Sequence, residues 1–208
     1  MRAFSGTFAA ITLFAVALAS AGNVDSVRNL SDELKNARKG RLSLADITLL
    51  GERIGRESLD DVRSHLGTAT LFREPSNSVS ADNEVCYSSN VPADETRVIF
   101  GSGPMGGWSR VTQIQVLSRA PQSLPCTPSN HVSRAVATQS GIRLGMQLQE
   151  LRSKFGRPTE QGAGFVIFSF EQKSDHSQRP DFDMLSGVMA TVANGRVTSF
   201  RLFLTESN

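Results

Sequence analysis

Two stretches of the chain carry the same spacing of apolar and polar residues. One runs from Ser58 to Thr70 and the other from Gln147 to Thr159. Both read apolar-x-acid-apolar-Arg-Ser-x-apolar-Gly. Leu59, Val62 and Leu66 stand at i, i+3 and i+7, as do Leu148, Leu151 and Phe155. That spacing puts each trio on one face of a helix. Ser58 is placed to cap the first helix, with Asp61 three residues later completing a capping-box pattern. Gly67 and Gly156 fit left-handed helix stops, and Pro158 reinforces the second.

Downstream of each helix the period changes to two. Arg110–Leu117 and Arg196–Phe203 correspond to one another and are rich in β-branched or aromatic residues. Ile114 and Val116 alternate with Gln113 and Gln115, and Phe200 and Leu202 alternate with Ser199, Arg201 and Phe203. Such alternation predicts one buried and one more open face. Further strands are expected at Glu84–Ser88, Arg97–Phe100, Phe165–Glu171 and Val188–Ala193. Asn194-Gly195 is a strong two-residue hairpin turn, and Gly101–Trp108 takes the equivalent place in the first half. The expected fold class is therefore α+β: two tandem repeats, each a helical segment followed by a small antiparallel β-meander. The repeats span 42–120 and 136–208. A linker at 121–135 holds Pro125 and Pro128, and 22–41 contains a separate helix candidate, Asn23–Lys39, lined by Val27, Leu30 and Leu34.

The N-terminus reads as an export signal, 1–21. Arg2 supplies a positive start, Phe8–Ala19 is almost wholly apolar, and Ala19-Ser20-Ala21 offers a small-x-small cleavage site. The alternative is a membrane anchor, but the apolar run falls short of the ~20 residues that span a bilayer. Export leads to a periplasmic or secreted location. It also gives meaning to Cys86 and Cys126, the only two cysteines among 208 residues. A disulfide closing a loop of this length contributes on the order of 4 kcal/mol. A nucleophilic or metal-binding cysteine is the alternative reading, without a nearby activating base to favour it. The charge is nearly balanced, with 22 Lys and Arg against 20 Asp and Glu. No concentrated basic footprint marks a nucleic-acid binder.

Gly145-Met146 followed by Leu148, Glu150-Leu151, Phe155-Gly156 and Pro158, and then by a run of strands, resembles the β-lactamase-inhibitor-like tandem-repeat fold. Single copies of that fold are found in small outer-membrane assembly proteins of the SmpA/OmlA type. The resemblance covers 42–204, and the first half departs from it where Ala69 stands in place of Pro158. It implies a concave sheet face and hairpin loops that grip another protein. The assembly proteins are lipid-anchored through a cysteine, and no cysteine lies near Ala21.

Candidate chemistry is sparse. Gly101-Ser102-Gly103-Pro104-Met105-Gly106 fits G-x-G-x-x-G, but a strand follows where a dinucleotide site needs a helix, so a glycine-rich hairpin is expected instead. Met105 and the single Trp, Trp108, stand at its tip, either as interface anchors or as cover for a small core. His65 takes the position that Lys154 holds in the second helix and reads as a solvated helix residue. His131 follows the proline-containing stretch Gln122–Asn130 of the linker. His176 lies in a polar loop with Asp175, Asp181 and Asp183, whose spacing matches no calcium loop. There is no G-x-S-x-G, H-E-x-x-H or C-x-x-C. The reading is a non-enzymatic protein without catalytic residues, cofactor or metal set. It is an exported protein-binding module, in sharper form an inhibitor or immunity-type protein, with a protein partner in the envelope or extracellular space. No nucleic acid and no membrane span are expected. Met105, Trp108, Gln113, Gln115, Arg201 and Phe203 are the expected partner-binding residues. A structural or assembly factor of the cell envelope is one alternative. An unrecognised hydrolase is another, and a pocket gathering His131 or His176 with an acid and a nucleophile would favour it.

Overall fold

A computed structural model describes residues 36–73, 83–103, 107, 109–119, 125–174 and 182–207. Among them, both amphipathic stretches are helical: α1 is Leu59–Leu66 and α2 is Leu148–Phe155. Ser58 Oγ accepts from the Asp61 amide at 3.1 Å, and the Asp61 carboxylate accepts from the Ser58 amide at 2.8 Å. This reciprocal pair satisfies two backbone donors that a helix start leaves open. Both helices end at glycines with positive φ, Gly67 at 106° and Gly156 at 76°. Their ψ values of 155° and −151° differ from the left-handed helical stop and fall in a region that essentially only glycine adopts.

Among the described residues, twelve strands follow the period-two segments and some shorter runs. They are β1 (Arg38–Lys39), β2 (Thr48–Leu49), β3 (Glu52–Arg53), β4 (Leu71–Arg73), β5 (Asn83–Ser89), β6 (Arg97–Ser102), β7 (Gln113–Leu117), β8 (Thr127–Ser129), β9 (Glu160–Gly162), β10 (Phe165–Gln172), β11 (Asp183–Ala193) and β12 (Arg196–Ser207). Asn194 and Gly195, with φ of 51° and 73°, make the tight turn between β11 and β12. The expected strand from Arg110 begins three residues later, because Arg110 instead bridges to Ser58 at the start of α1.

The expected α+β chain of two tandem helix-plus-meander repeats is corrected by this architecture. The protein is mostly β, and its main body is one ten-stranded mixed sheet. The strand order is β1-β10-β11-β12-β7-β6-β5-β4, with β8 beside β5 and β9 beside β10. Two physical causes produce it. The last strands of the two halves hydrogen-bond to each other, Ser199 opposite Leu117 through Phe203 opposite Gln113, which removes two exposed edges. Two segments outside the expected meanders also add parallel strands. Arg38–Lys39 pairs with Phe170–Glu171, and Thr127–Ser129 pairs with Tyr87–Ser89. Each helix is only eight residues, about 12 Å long, so helices cover rather than organise the sheet.

The core lies between the helices and one sheet face. Val62, Leu66, Leu151 and Phe155 pack with Val98, Phe100, Ile114, Val116, Phe168, Val188, Phe200 and Leu202. Burying each such side chain contributes about 1.5–3 kcal/mol. The layer is completed by Leu49 of β2 and by irregular chain whose Leu42, Ile54, Val132, Ile142 and Leu144 are all buried. The entries to the two helices make matching backbone bonds. Gly55 donates to the Val111 carbonyl and Gly145 to the Val197 carbonyl, each at 2.8 Å, while Leu59 donates to Ser109 and Leu148 to Gly195 at 2.8 and 2.9 Å.

Candidate functional site

Because the helices cover one sheet face, alternation along β7 and β12 sends every second side chain to the other. Ile114, Val116, Phe200 and Leu202 turn inward and are buried, while Gln113, Gln115, Arg201 and Phe203 turn outward and are half-buried. Register then makes neighbours of them, with Arg201 opposite Gln115 and Phe203 opposite Gln113. The structure thus brings together four of the six residues expected to bind a partner. Met105 and Trp108 lie outside the described residues.

Two rows of side chains cross this outer face. One runs Cys86, Ile99, Gln115, Arg201, Met189 and Ile167, residue opposite residue through six strands. The other includes Gly101, Gln113, Phe203 and Gly187. Its glycines form notches. A Cβ on Gly187 would sit 2.2 Å from Phe203 Cζ, and one on Gly101 would sit 2.5 Å from Gln113 Nε2. The Phe203 ring therefore lies against bare backbone, held in place while half-exposed. Gln113 Nε2 donates to Glu84 Oε1 at 3.5 Å.

Arg201 occupies the middle of the first row. Its Nη2 donates to Gln115 Oε1 across a long 3.5 Å, and it makes no ion pair with a carboxylate among the described residues. A guanidinium in this setting is a ready donor for a planar acceptor such as a carboxylate. The end of the row is tied down by a disulfide between Cys86 and Cys126, 40 residues apart in sequence. The bond anchors the chain entering β8 to β5, beside its parallel pairing.

The helix-covered side holds two buried acids, each met by a base from a helix. Glu52, in β3, has a side chain only 4% exposed, and its Oε1 stands 2.6 Å from His65 Nδ1 on α1. A carboxylate only accepts, so this geometry places the proton on Nδ1 and leaves Nε2 outside the contact with Glu52. The His131 ring lies 5.9 Å from the His65 ring. On α2, Lys154 Nζ stands 3.1 Å from Asp46 Oδ1, and Asp46 Oδ2 accepts from the Ser43 amide at 3.0 Å and its hydroxyl at 2.5 Å. Burial pushes the Asp46 carboxyl up, but hydrogen bonds from Ser43, Ser140 and Lys154 outweigh it and hold the group below its usual range. A hollow of about 280 Å³ opens beside this pair, walled by Phe155 and Phe170. The Arg38 guanidinium stacks 4.7 Å from the Phe170 ring centre.

His65 lies on α1 and is exposed, as expected of a solvated helix residue, and it also contacts Glu52, which the sequence did not indicate. Its partner lies 13 residues away in a segment whose glutamate looks like any surface acid, so only the folded chain reveals the contact. His131 and His65 come together with an acid. His176, Asp175 and Asp181 lie outside the described residues. Asp183 Oδ2 accepts from Lys173 Nζ at 2.6 Å, and its Oδ1 accepts from the Ser174 amide at 3.0 Å. Among the described residues no three His, Cys, Asp or Glu side chains gather as a metal-binding group, and no helix is long and apolar enough to cross a membrane.

Fold and face together define a disulfide-tied, mainly β protein with one helix-covered and one more open sheet face. Comparison with known proteins finds no matching family model, no matching curated protein and no matching solved structure.

Proposed function

We propose that the protein is an exported protein-binding module that receives an acidic segment of its partner on the outer face of β7 and β12. The observation that carries this reading is Arg201, central on that face, with one long bond to Gln115 and no carboxylate partner among the described residues. Phe203, braced over Gly187, supplies apolar area beside it. A charged donor next to a fixed aromatic is the composition of an interface hot spot. The disulfide suits an oxidising compartment, in keeping with the export signal read at 1–21. The resemblance to β-lactamase-inhibitor-like proteins favours an inhibitor or immunity-type role, periplasmic or secreted.

The test is affinity capture by the oxidised protein from envelope and secreted fractions, followed by measured affinity for the captured partner. Arg201→Glu is expected to weaken binding at least about tenfold, or ~1.4 kcal/mol, with the circular dichroism spectrum unchanged. Unchanged affinity in this variant would move the interface off this face.

A further inference from the structure

We propose that His65 and His131 form a binding site for a divalent transition-metal ion of borderline softness, such as Zn²⁺. The first observation is the Glu52–His65 hydrogen bond of 2.6 Å. Metal-binding histidines almost always donate their other ring N–H to a carboxylate or carbonyl, which fixes the tautomer and raises the basicity of the free nitrogen. Glu52 does this for His65, and it does so from inside the protein while the His65 side chain stays 54% exposed. The nitrogen left for a metal is Nε2.

The second observation is the placement of His131. Two imidazoles on one tetrahedral zinc, at Zn–N of about 2.0–2.1 Å, have ring centres roughly 5 Å apart. The two rings here are 5.9 Å apart, within reach of a small side-chain adjustment. That proximity is built by the backbone. Ser129 Oγ donates to the Leu66 carbonyl at 3.4 Å and accepts from the His131 amide at 3.3 Å, which seats the turn after β8 against the last residue of α1.

The electrostatics also favour a cation. His65 is the penultimate residue of α1, where the helix dipole presents its negative end. The only ion pair of Glu52 among the described residues is with His65. Two protein ligands leave two tetrahedral positions for water or for a further donor. A bound ion would clamp the turn at His131 to α1 and so raise the melting temperature.

The experiment is a titration of the oxidised full-length protein with Zn²⁺ by calorimetry, paired with nuclear magnetic resonance of the histidine ring signals at substoichiometric Cu²⁺. The expected result is one Zn²⁺ per chain, with paramagnetic broadening of the His65 and His131 rings and not of His176. His131→Ala and His65→Ala should each weaken binding at least about tenfold, Glu52→Gln about tenfold or more, and His176→Ala should leave it unchanged. The broadening is read on the unsubstituted protein, so it stands even if the His65 or Glu52 variant fails to fold. Absence of Zn²⁺ binding at millimolar metal, broadening centred on His176, or unchanged affinity in His131→Ala would each overturn the proposal.

Discussion

The two helices are built from one sequence pattern, yet the same position on each does different chemistry. His65 and Lys154 correspond, residue for residue, within Leu59–Leu66 and Leu148–Phe155. Each reaches a buried acid from the segment before α1, Glu52 for His65 and Asp46 for Lys154. The backbone bonds that launch the helices also match. The scaffold is thus shared, and a single side chain decides what each place offers. Lys154 closes an ion pair with Asp46. His65 spends one nitrogen on Glu52 and keeps the other free. A further difference is covalent: the disulfide ties the linker at Cys126 to Cys86 of the first half, and the second half is held by packing and hydrogen bonds.

The comparison breaks most sharply in the core beneath each helix. Leu66→Ala and Leu151→Ala should each cost about 2–5 kcal/mol, measured by denaturant unfolding, because both side chains are buried at 5% and 0% exposure. Removing the disulfide with Cys86→Ser and Cys126→Ser should cost about 2–5 kcal/mol. If the halves unfold independently, that loss will be confined to probes in the first. Coincident transitions in both halves would mark the shared sheet as one cooperative unit.

The acid–base pairs come next. Lys154→Met should destabilise the protein by about 1–3 kcal/mol at pH 7, since Asp46 is left buried without its cation. The sign with pH follows from the direction of the shift. The folded Asp46 pKa lies below its unfolded value of 3.8, so its contribution is complete above that value and is lost as pH falls through the folded pKa. The gap between Lys154→Met and the unsubstituted protein should therefore narrow on acidification below about pH 4. A gap that stays constant to pH 2 would assign the loss to the packing of the Lys154 stem. The smallest effect is at the helix starts. Ser58→Ala should cost about 1 kcal/mol, since it removes the hydroxyl that caps Asp61 N.

Much of the local structure was legible because it depends on short-range rules. The spacing of Leu59, Val62 and Leu66 specifies a helical face, Ser58 and Asp61 specify its cap, and Asn194-Gly195 specifies a turn. The outward side of β7 and β12 followed from alternation alone, whereas the grouping of Gln113 and Gln115 against Arg201 and Phe203 came from the pairing of the two strands. Other features carry no local signature. Buried apolar residues such as Leu49, Ile54, Val132 and Ile142 sit in chain with neither a 3.6- nor a 2-residue period, so they were not read as core. Arg38–Lys39 extends a helix-like stretch in sequence but pairs with β10 as a strand, because the open edge there outweighs a weak local preference.

The sequence by itself determined where α1 and α2 start and stop, which residues alternate, and that Cys86 and Cys126 had only each other. Those properties are encoded within a few residues or by simple count. Only the tertiary structure decided that two halves share one sheet, that β7 and β12 meet edge to edge, and that His65 finds Glu52 and faces His131. These pairings join residues far apart in the chain. Their free energy comes from closing sheet edges and satisfying buried polar groups, and neither cost exists until the chain has folded.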